Sequence, residues 1–392
     1  MLQPNSVPRL SISYESLFVQ CLIFHSNSQG DLLKKVLFIA SHRKDRAPGQ
    51  RFRFEQYMDF LNAHGYDCHL SSLLTVKEDK LFYSRGKVLR KANILRRSSA
   101  KRRKDLKHAN DYDIIFIFRE ALMTRSTYFE KHFSRSSAKV IYDFDDAIWM
   151  NDTSDANRLF KWMKNPAKIS KSIGYADLVF AGNAYLADYA RKFNSNVEIV
   201  PTTIDTDEYR REPKTVKGDK IVIGWSGSLT TIKHFQLAVP FLLKIKEKYG
   251  DRVQFKVIGD SNYRNEDLGI KGNAWNRKTE VHDLSEIDIG IMPLPQDKWA
   301  KGKCGLKGLQ YMALEIPTIM SPVGVNTEII REGVNGFLAA RDFEWITKLS
   351  SLIDDAELRR RIGAEARKTV VEKYSVMANR HLYLQHFEKL AR

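Results

Sequence analysis

Apolar residues run without interruption from Val36 to Ala40, the pattern of a strand buried on both faces. Pro48 and Gly49 mark a loop after it, and a helical pattern follows from about Arg51 to His64, where Gly65 stops it. Comparable strand-like runs recur at 114–118, 140–142, 178–181 and 197–200, with helical periodicity between most of them. A polar, lysine-rich stretch at 210–220 breaks the series. The pattern then restarts with a strand at 221–225, a Gly-Ser turn and a helix, and continues through 254–258, 287–292 and 318–320. An Asn335-Gly336 turn and helices from Asp342 onwards close the chain. Strands alternating with helices predict βαβ units and mainly parallel sheets. The interruption predicts two of them. The expected fold class is therefore α/β, with two Rossmann-like, doubly wound domains facing each other across a cleft. Its parts are an N-terminal extension at 1–33, a first domain at 34–209, a linker at 210–220, a second domain at 221–380 and a C-terminal helix at 381–392.

Length agrees, since 392 residues exceed what one ordinary core encloses. Cys21, Cys68 and Cys304 are scattered and match no disulfide or zinc spacing, which indicates a reducing compartment. No apolar run approaches the ~20 residues of a membrane-spanning helix. The early stretch at 17–24 is broken by Gln20 and lacks a basic flank, so a cleavable signal is not expected. These features predict a cytoplasmic protein.

Charge changes the picture because it is concentrated. The net charge is +17, and Arg85, Lys87, Arg90, Lys91, Arg96, Arg97, Lys101, Arg102, Arg103, Lys104 and Lys107 crowd one stretch whose only acid is Asp105. Such a block attracts nucleic acid, anionic lipid or phosphorylated substrates, and it equally fits a solvated helical face. Val88, Leu89, Ile94 and Leu95 give it an apolar component, which favours an anionic membrane surface and a peripheral location on the inner face of the cell membrane. Nucleic-acid binding would explain the charge but not the paired sheets, so no nucleic acid is expected as a partner.

The sharpest chemical signal is Gly302-Lys303-Cys304-Gly305-Leu306-Lys307-Gly308-Leu309-Gln310-Tyr311-Met312-Ala313, between one strand and the next. Lys303 and Lys307 lie four apart and would share a helix face. Two ammonium groups beside free N–H groups at a helix start suit a diphosphate, although solvated surface lysines give the same pattern. Asp143, Asp145 and Asp146 form a second cluster after the strand at 140–142. Crowded carboxylates raise one another's pKa, a route to acid–base chemistry, and the same cluster fits a metal site or a capped loop.

The first segment resembles the signature of family 4 (group 1) glycosyltransferases, retaining enzymes of the GT-B fold. It is closest to a bacterial sub-pattern with Gly-Lys-Cys and Gln-Tyr-Met-Ala in place of the motif of two glutamates seven residues apart. By that resemblance Gln310 stands at the second glutamate and would hold the nucleotide ribose. Gly302 stands at the first, beside the donor sugar, and Lys303 takes over the region. Gly227-Ser228 with Lys233 resembles the family's Gly-Arg turn and lysine, with Ser228 in place of the Arg; Lys233 would neutralise the leaving diphosphate. Asp145 and Asp146 resemble the family's His-Asp pair in the first domain and, with Glu120 after the strand at 114–118, are the expected catalytic residues. Gly324 and Glu328, after the strand at 318–320, would receive the nucleotide. Gly49, Arg51 and Arg53 form the expected acceptor or phosphate loop. Asn183 is assigned mainly a capping role.

The resemblance implies a hexosyltransferase that takes a nucleotide-diphosphate sugar as co-substrate, with no resident cofactor and no metal. Its acceptor would be a glycan or a lipid-linked glycan, in cell-surface polysaccharide or glycoconjugate synthesis. A nucleotide-sugar epimerase of the same fold is the alternative enzyme class.

Overall fold

The computed structural model describes residues 33–82, 84, 86–150, 165–214, 219–228 and 230–391. Its first sheet is built from β1 (Lys34–Ala40), β2 (Tyr66–Ser72), β3 (Ile114–Phe118), β4 (Lys139–Phe144), β5 (Leu178–Ala181) and β6 (Val197–Ile199), ordered β2-β1-β3-β4-β5-β6 and parallel throughout. Between them lie α1, α2 (Val76–Phe82), α3 (Val88–Lys107), α4 (Tyr128–Phe133), α5 (Pro166–Gly174) and α6 (Ala184–Ala190). Helix α1 is composite: Pro48–Gln50 and Gln56–Asn62 are α-helical, and Arg51–Glu55 forms a π-turn. Every residue of β3 and β5 is buried, as helices on both faces of a parallel sheet require. β2 escapes the sequence pattern because it is an edge strand, and His69 points outward between partly covered neighbours.

The second sheet is β7 (Ile221–Ser226), β8 (Val253–Ile258), β11 (Ile289–Met292), β12 (Thr318–Met320) and β13 (Phe337–Leu338), ordered β13-β12-β11-β7-β8 and again parallel. A two-stranded ribbon of β9 (Arg264–Asn265) and β10 (Ile270–Lys271) stands apart from it. Its helices are α7 (Ile232–Phe235), α8 (Val239–Tyr249), α9 (Glu280–Ser285), α10 (Lys298–Lys301), α11 (Leu306–Ala313), α12 (Asn326–Ile329), α13 (Asp342–Asp354), α14 (Ala356–Thr369) and α15 (Val376–Leu390). The two parallel sheets, each with its own helices, are the two Rossmann-like units expected.

Each strand order reverses once, between β1 and β3 in the first sheet and between β7 and β11 in the second. Ligands of open α/β sheets bind outside the carboxyl ends of the strands at such a reversal. The loops after β1, β3, β7 and β11 are therefore where the fold itself directs the search for a site.

The last helix returns to the first sheet. Tyr383 and Phe387 on α15 are buried with Phe38, Phe54, Tyr57, Phe116 and Phe180, and Tyr383 stacks on Tyr57 at a centroid distance of 4.0 Å.

Helix α3 departs from the exposed basic segment expected of it. Arg102 is fully buried and donates to Ala40 O at 2.7 Å, Ala121 O at 2.6 Å, Ser71 Oγ at 2.9 Å and Asp105 Oδ2 at 2.7 Å. Lys91 and Ile94 are buried as well, and Arg97 pairs with Glu78 at 2.6 Å. The reason is the 3.6-residue period, which turns 91, 94, 98 and 102 onto one face against the sheet. Leu89, Arg96, Arg103 and Lys107 make the opposite face, and Leu89 is 87% exposed. Arg85 lies outside the described residues. Among the described residues, no helix is long and apolar enough to cross a membrane.

Candidate active site

At the first reversal, β3 is followed by Arg119, whose φ of 61° is a strained left-handed conformation for a residue with a side chain. Two contacts hold it there. Tyr142 Oη donates to Arg119 O, and the Arg119 guanidinium grips Asp145 through Nε at 2.7 Å and Nη2 at 2.6 Å. Gly49, after β1, lies directly on this pair: a Cβ there would come within 3.1 Å of Asp145 Oδ2 and 3.2 Å of Arg119 Nη2. His42 sits beside the same loop, clamped by Gln50, which accepts from His42 N at 2.8 Å and donates to His42 O at 2.9 Å. Burial pushes its pKa down to about 4 against the pull of Asp79, and Arg46 and Arg119 help, so the ring is neutral at physiological pH.

The aspartate cluster is divided among three partners. Asp143 turns into the core and pairs with Arg53, Asp145 pairs with Arg119, and Asp146 accepts from Lys303 Nζ at 2.6 Å. Mutual repulsion among the three is thus relieved by three separate cations. Glu120 faces away from them, onto buried Lys168 at 2.9 Å, which also pairs with Glu130 at 3.3 Å. Among the described residues no group of three potential ligands is arranged to hold a metal ion.

At the second reversal, Gly227 follows β7 where a Cβ would strike the Trp225 ring, and Gly259 has φ 129° because its chain passes against Gly227 O. Ser228 is exposed there, its N–H donating to Thr231 Oγ1 at 2.8 Å. Helix α7 then presents Lys233 and His234, and α10 presents Trp299. Lys303 Nζ lies 3.5 Å from the Trp299 ring centroid, Lys233 Nζ 5.2 Å from it, and His234 meets the same ring edge-on at 5.3 Å. Lys307 Nζ lies 5.2 Å from the Trp225 ring. Three lysines thus converge on two indoles, whose faces attract cations. Burial, with Lys303 adding to it and Asp146 opposing, pushes Lys307 down to about 7. His234 is pushed down to about 4, first by burial and then by Lys307, Lys303 and Lys233. Among the described residues, His234 Nδ1 and Trp225 Nε1 are buried without a hydrogen-bond partner. Buried polar atoms without partners are uncommon, and these two belong to residues packed against the lysine cluster.

Lys303 is not on the helix face expected for it. Gly305, at φ 70°, precedes α11, so Lys303 lies in the turn before the helix while Lys307 is in its first turn. That turn is the seam between the domains. Asn183, which caps α6 through its side-chain oxygen, donates from Nδ2 to Lys303 O at 3.0 Å and Lys301 O at 3.3 Å. Cys304 Sγ donates to Asp145 O at 3.3 Å. A Cβ on Gly302 would stand 2.7 Å from Ala147 Cβ and 2.8 Å from Ala147 N, and one on Gly182 would stand 2.5 Å from Cys304 Sγ. The missing side chain at 302 is therefore a steric requirement of the seam.

Three assigned residues lie elsewhere. Arg53 is fully buried, donating to Asp143 and Val200 O. Arg51 is buried against Glu280 and Tyr209 Oη. Gln310 is also buried and donates to Tyr209 Oη and Glu280 Oε1, each at 3.0 Å. In this structure none of the three is presented to a nucleotide or a phosphate: a buried carboxylate claims each, since an unpaired charge inside would cost more. Gly324, at φ 55°, packs on Lys301 O, and Glu328 is exposed on α12. Arg119, whose position after β3 already directs it into the cleft, joins the site, and His234, Trp225 and Trp299 complete it without having been assigned. Of the last three, only Trp299 carries a local clue, in Asp297, which caps α10 by accepting from Ala300 N at 2.7 Å.

Residues 220–355 match the family model described as Glycosyl transferases group 1. No curated protein matches the sequence. Among solved structures, the chain is similar to sucrose-phosphate synthase from Thermosynechococcus elongatus, with a TM-score of 0.67 at 14% identity over 91% of this chain and 99% of that one. It is also similar to HepE from Anabaena in complex with UDP and glucose (0.61, 13%, 91% and 100%). A third is the catalytic domain of starch synthase IV from Arabidopsis thaliana bound to ADP and acarbose (0.63, 12%, 92% and 100%).

Lys307 gives the site a pH signature. Its folded pKa of about 7 lies below the ordinary lysine value, so the charge is present below that pH and lost above it. Sulfate, whose own charge is constant over the range, should bind roughly tenfold more weakly at about pH 8 than at about pH 6, the worth of one charge-assisted contact. Lys307→Arg, whose guanidinium stays charged, should flatten the profile in titration calorimetry. Identical profiles for the two proteins would contradict the placement of Lys307 in the anion site.

Proposed function

We propose that the chain, in which residues 220–355 match a glycosyltransferase family model and the fold is that of GT-B enzymes, moves a hexose-type sugar from a nucleoside-diphosphate donor to a hydroxyl of a glycan or lipid-linked acceptor, in cell-surface polysaccharide or glycoconjugate synthesis. The carrying observation is the convergence of Lys233, Lys303 and Lys307 on Trp299 and Trp225, beside the orphaned nitrogens of His234 and Trp225. In this reading the diphosphate occupies the space before that cluster, and the lysines stabilise charge as it accumulates on the departing nucleotide, a gain realised chiefly in the transition state. They take the place of a metal ion. Neutral His234 donates or accepts one hydrogen bond there without adding charge. Arg119 holds Asp145 at the seam, close to where the acceptor hydroxyl would meet the sugar. Asp146, released when Lys303 turns to phosphate, becomes available to the same hydroxyl. Retention of configuration rests on the family resemblance.

The outer face of α3 adds a location. Arg96, Arg103, Lys104 and Lys107 are exposed, as are Val88 and Leu89 at the start of the helix. A basic residue near an anionic leaflet contributes about 1 kcal/mol, so this face would hold the enzyme reversibly at the inner membrane surface, where a lipid-linked acceptor lies.

Lys303→Ala and Lys307→Ala should each lower turnover at subsaturating donor by about tenfold or more, the loss expected for a charge-assisted phosphate contact. Full turnover by both variants would overturn the diphosphate assignment. In vesicle co-sedimentation, wild type should pellet with anionic but not neutral vesicles and release as salt rises. A variant carrying Arg96→Gln, Arg103→Gln, Lys104→Gln and Lys107→Gln should stay in solution. Equal behaviour of the two proteins would remove the membrane from the proposal.

A further inference from the structure

A second cationic feature lies on the first domain, away from the lysine cluster. The loop after β2 and the start of α2 (Ser72, Leu73, Leu74, Thr75 and Val76) form one side of a cavity of about 510 Å³, and Arg43, Arg97 and Lys101 close it from the β1 loop and α3. Glu78 is the one carboxylate in this lining, and it is already engaged: it accepts from Thr75 N at 3.0 Å, Thr75 Oγ1 at 2.8 Å and Arg97 Nη1 at 2.6 Å. It fixes the loop through Thr75 and offsets Arg97 in part, which leaves Arg43, Arg97 and Lys101 with a net positive lining. Arg43 is positioned from below by Asp79 at 3.3 Å, a carboxylate that also serves Arg46. Lys101 makes no ion pair among the described residues. Asp105, whose charge it feels, is bonded to Arg102 and Ser71.

The walls are therefore built for a ligand of two characters. Two guanidiniums and an ammonium on one side match a group with several anionic oxygens, such as phosphate. Leu73, Leu74 and Val76 on the other match an apolar continuation. The cavity also stands at the carboxyl edge of the same sheet that carries Arg119 and Asp145. β2 lies three strands from β4 in the sheet, so at about 4.8 Å per strand the two places are roughly 14 Å apart. A group held there would lie on the same side of the sheet as Asp145 yet remote from it.

We propose that this cavity is an acceptor subsite that captures a phosphate borne by the acceptor. The proposal rests on the glycosyl-transfer reading above and narrows it: the acceptor is a phosphate ester whose other arm is apolar, and the group recognised by Arg43, Arg97 and Lys101 is not the one that reacts. Binding energy from this remote contact orients the hydroxyl toward the donor.

The test is the acetylation rate of individual lysines in the full chain, read by mass spectrometry. Lys104 and Lys107 on the same helix serve as internal controls. Two probes are used, glycerol 3-phosphate and vesicles of phosphatidylcholine with phosphatidic acid. At a probe concentration ten times its dissociation constant, Lys101 should be acetylated about tenfold more slowly, by mass action, and Lys104 should be unchanged with the soluble probe. Arg43→Gln should abolish the protection of Lys101, and Arg97→Gln serves in its place if that variant does not fold. Protection by glycerol 3-phosphate assigns the site to the phosphate group itself. Protection by the vesicles alone, lost for Lys101 but not for Lys104 in Arg43→Gln, assigns it to a lipid-borne phosphate. Both outcomes support the subsite. Absence of Arg43-dependent protection with either probe overturns it. Failure to turn over any nucleotide sugar, with the protection intact, would instead count against the glycosyl-transfer reading and leave the cavity standing.

Discussion

The arrangement depends on one contact, the docking of the turn from Gly302 to Cys304 onto the first domain. It has three components of different chemistry. Gly302 gives up its side chain so that the backbone of Ala147 can lie against it. Asn183 spends both ends of its amide, one to cap α6 and the other on the carbonyls of Lys301 and Lys303. Lys303 meets Asp146 at 2.6 Å. Without the first two, the two sheet reversals would not face each other, and the cations of one would not stand beside the carboxylates of the other. The third is of another kind. With 18% of each side chain exposed, the pair is partly buried yet open to the cleft, so a phosphate can compete with Asp146 for Lys303, and that is the property a substrate-responsive contact requires.

Deeper in the seam the charges are permanent. Arg51 reaches from α1 to Glu280 in the second domain, with Tyr209 and Gln310 completing the network, and Arg53 is held between Asp143 and Val200 O. Removing one member of a buried pair commonly costs about 3–5 kcal/mol, because the survivor is left charged and unpaired. The π-turn at Arg51–Glu55 is where these arginines leave an ordinary helix, and it lies at the junction of both networks. Arg51–Glu280 thus ties the two domains together from within, Arg53–Asp143 fixes α1 against the first sheet, and the Lys303–Asp146 pair at the cleft is left to respond.

The strands that are buried on both faces, β1, β3, β5 and β7 among them, were legible because burial on two sides writes an uninterrupted apolar run. β2 and β13 were not, since an edge strand and a two-residue strand leave no such run. The basic block at 85–107 read as a surface because sequence counts charge without direction; the fold turns Lys91 and Arg102 inward. Arg51 and Arg53 were placed at a glycine-containing loop and Gln310 by the resemblance, and none of the three showed its buried partner in the sequence, where Glu280 lies 229 positions from Arg51. Lys233, Lys303 and Lys307 did converge on one place, as their motifs suggested, although Gly305 puts Lys303 before the helix. Arg119 carries no local signal of its strained backbone, which arises from Asp145 and Tyr142 across the sheet.

The central claim is that a nucleoside diphosphate completes this seam, and thermal unfolding of the wild-type chain against a panel of nucleotide sugars tests it most directly. At one hundred times its dissociation constant a specific donor should stabilise the folded state by about 2.7 kcal/mol, and the gain should shrink in Lys303→Ala. A panel in which no nucleoside-diphosphate sugar raises the unfolding temperature, or in which wild type and Lys303→Ala respond alike, would contradict it.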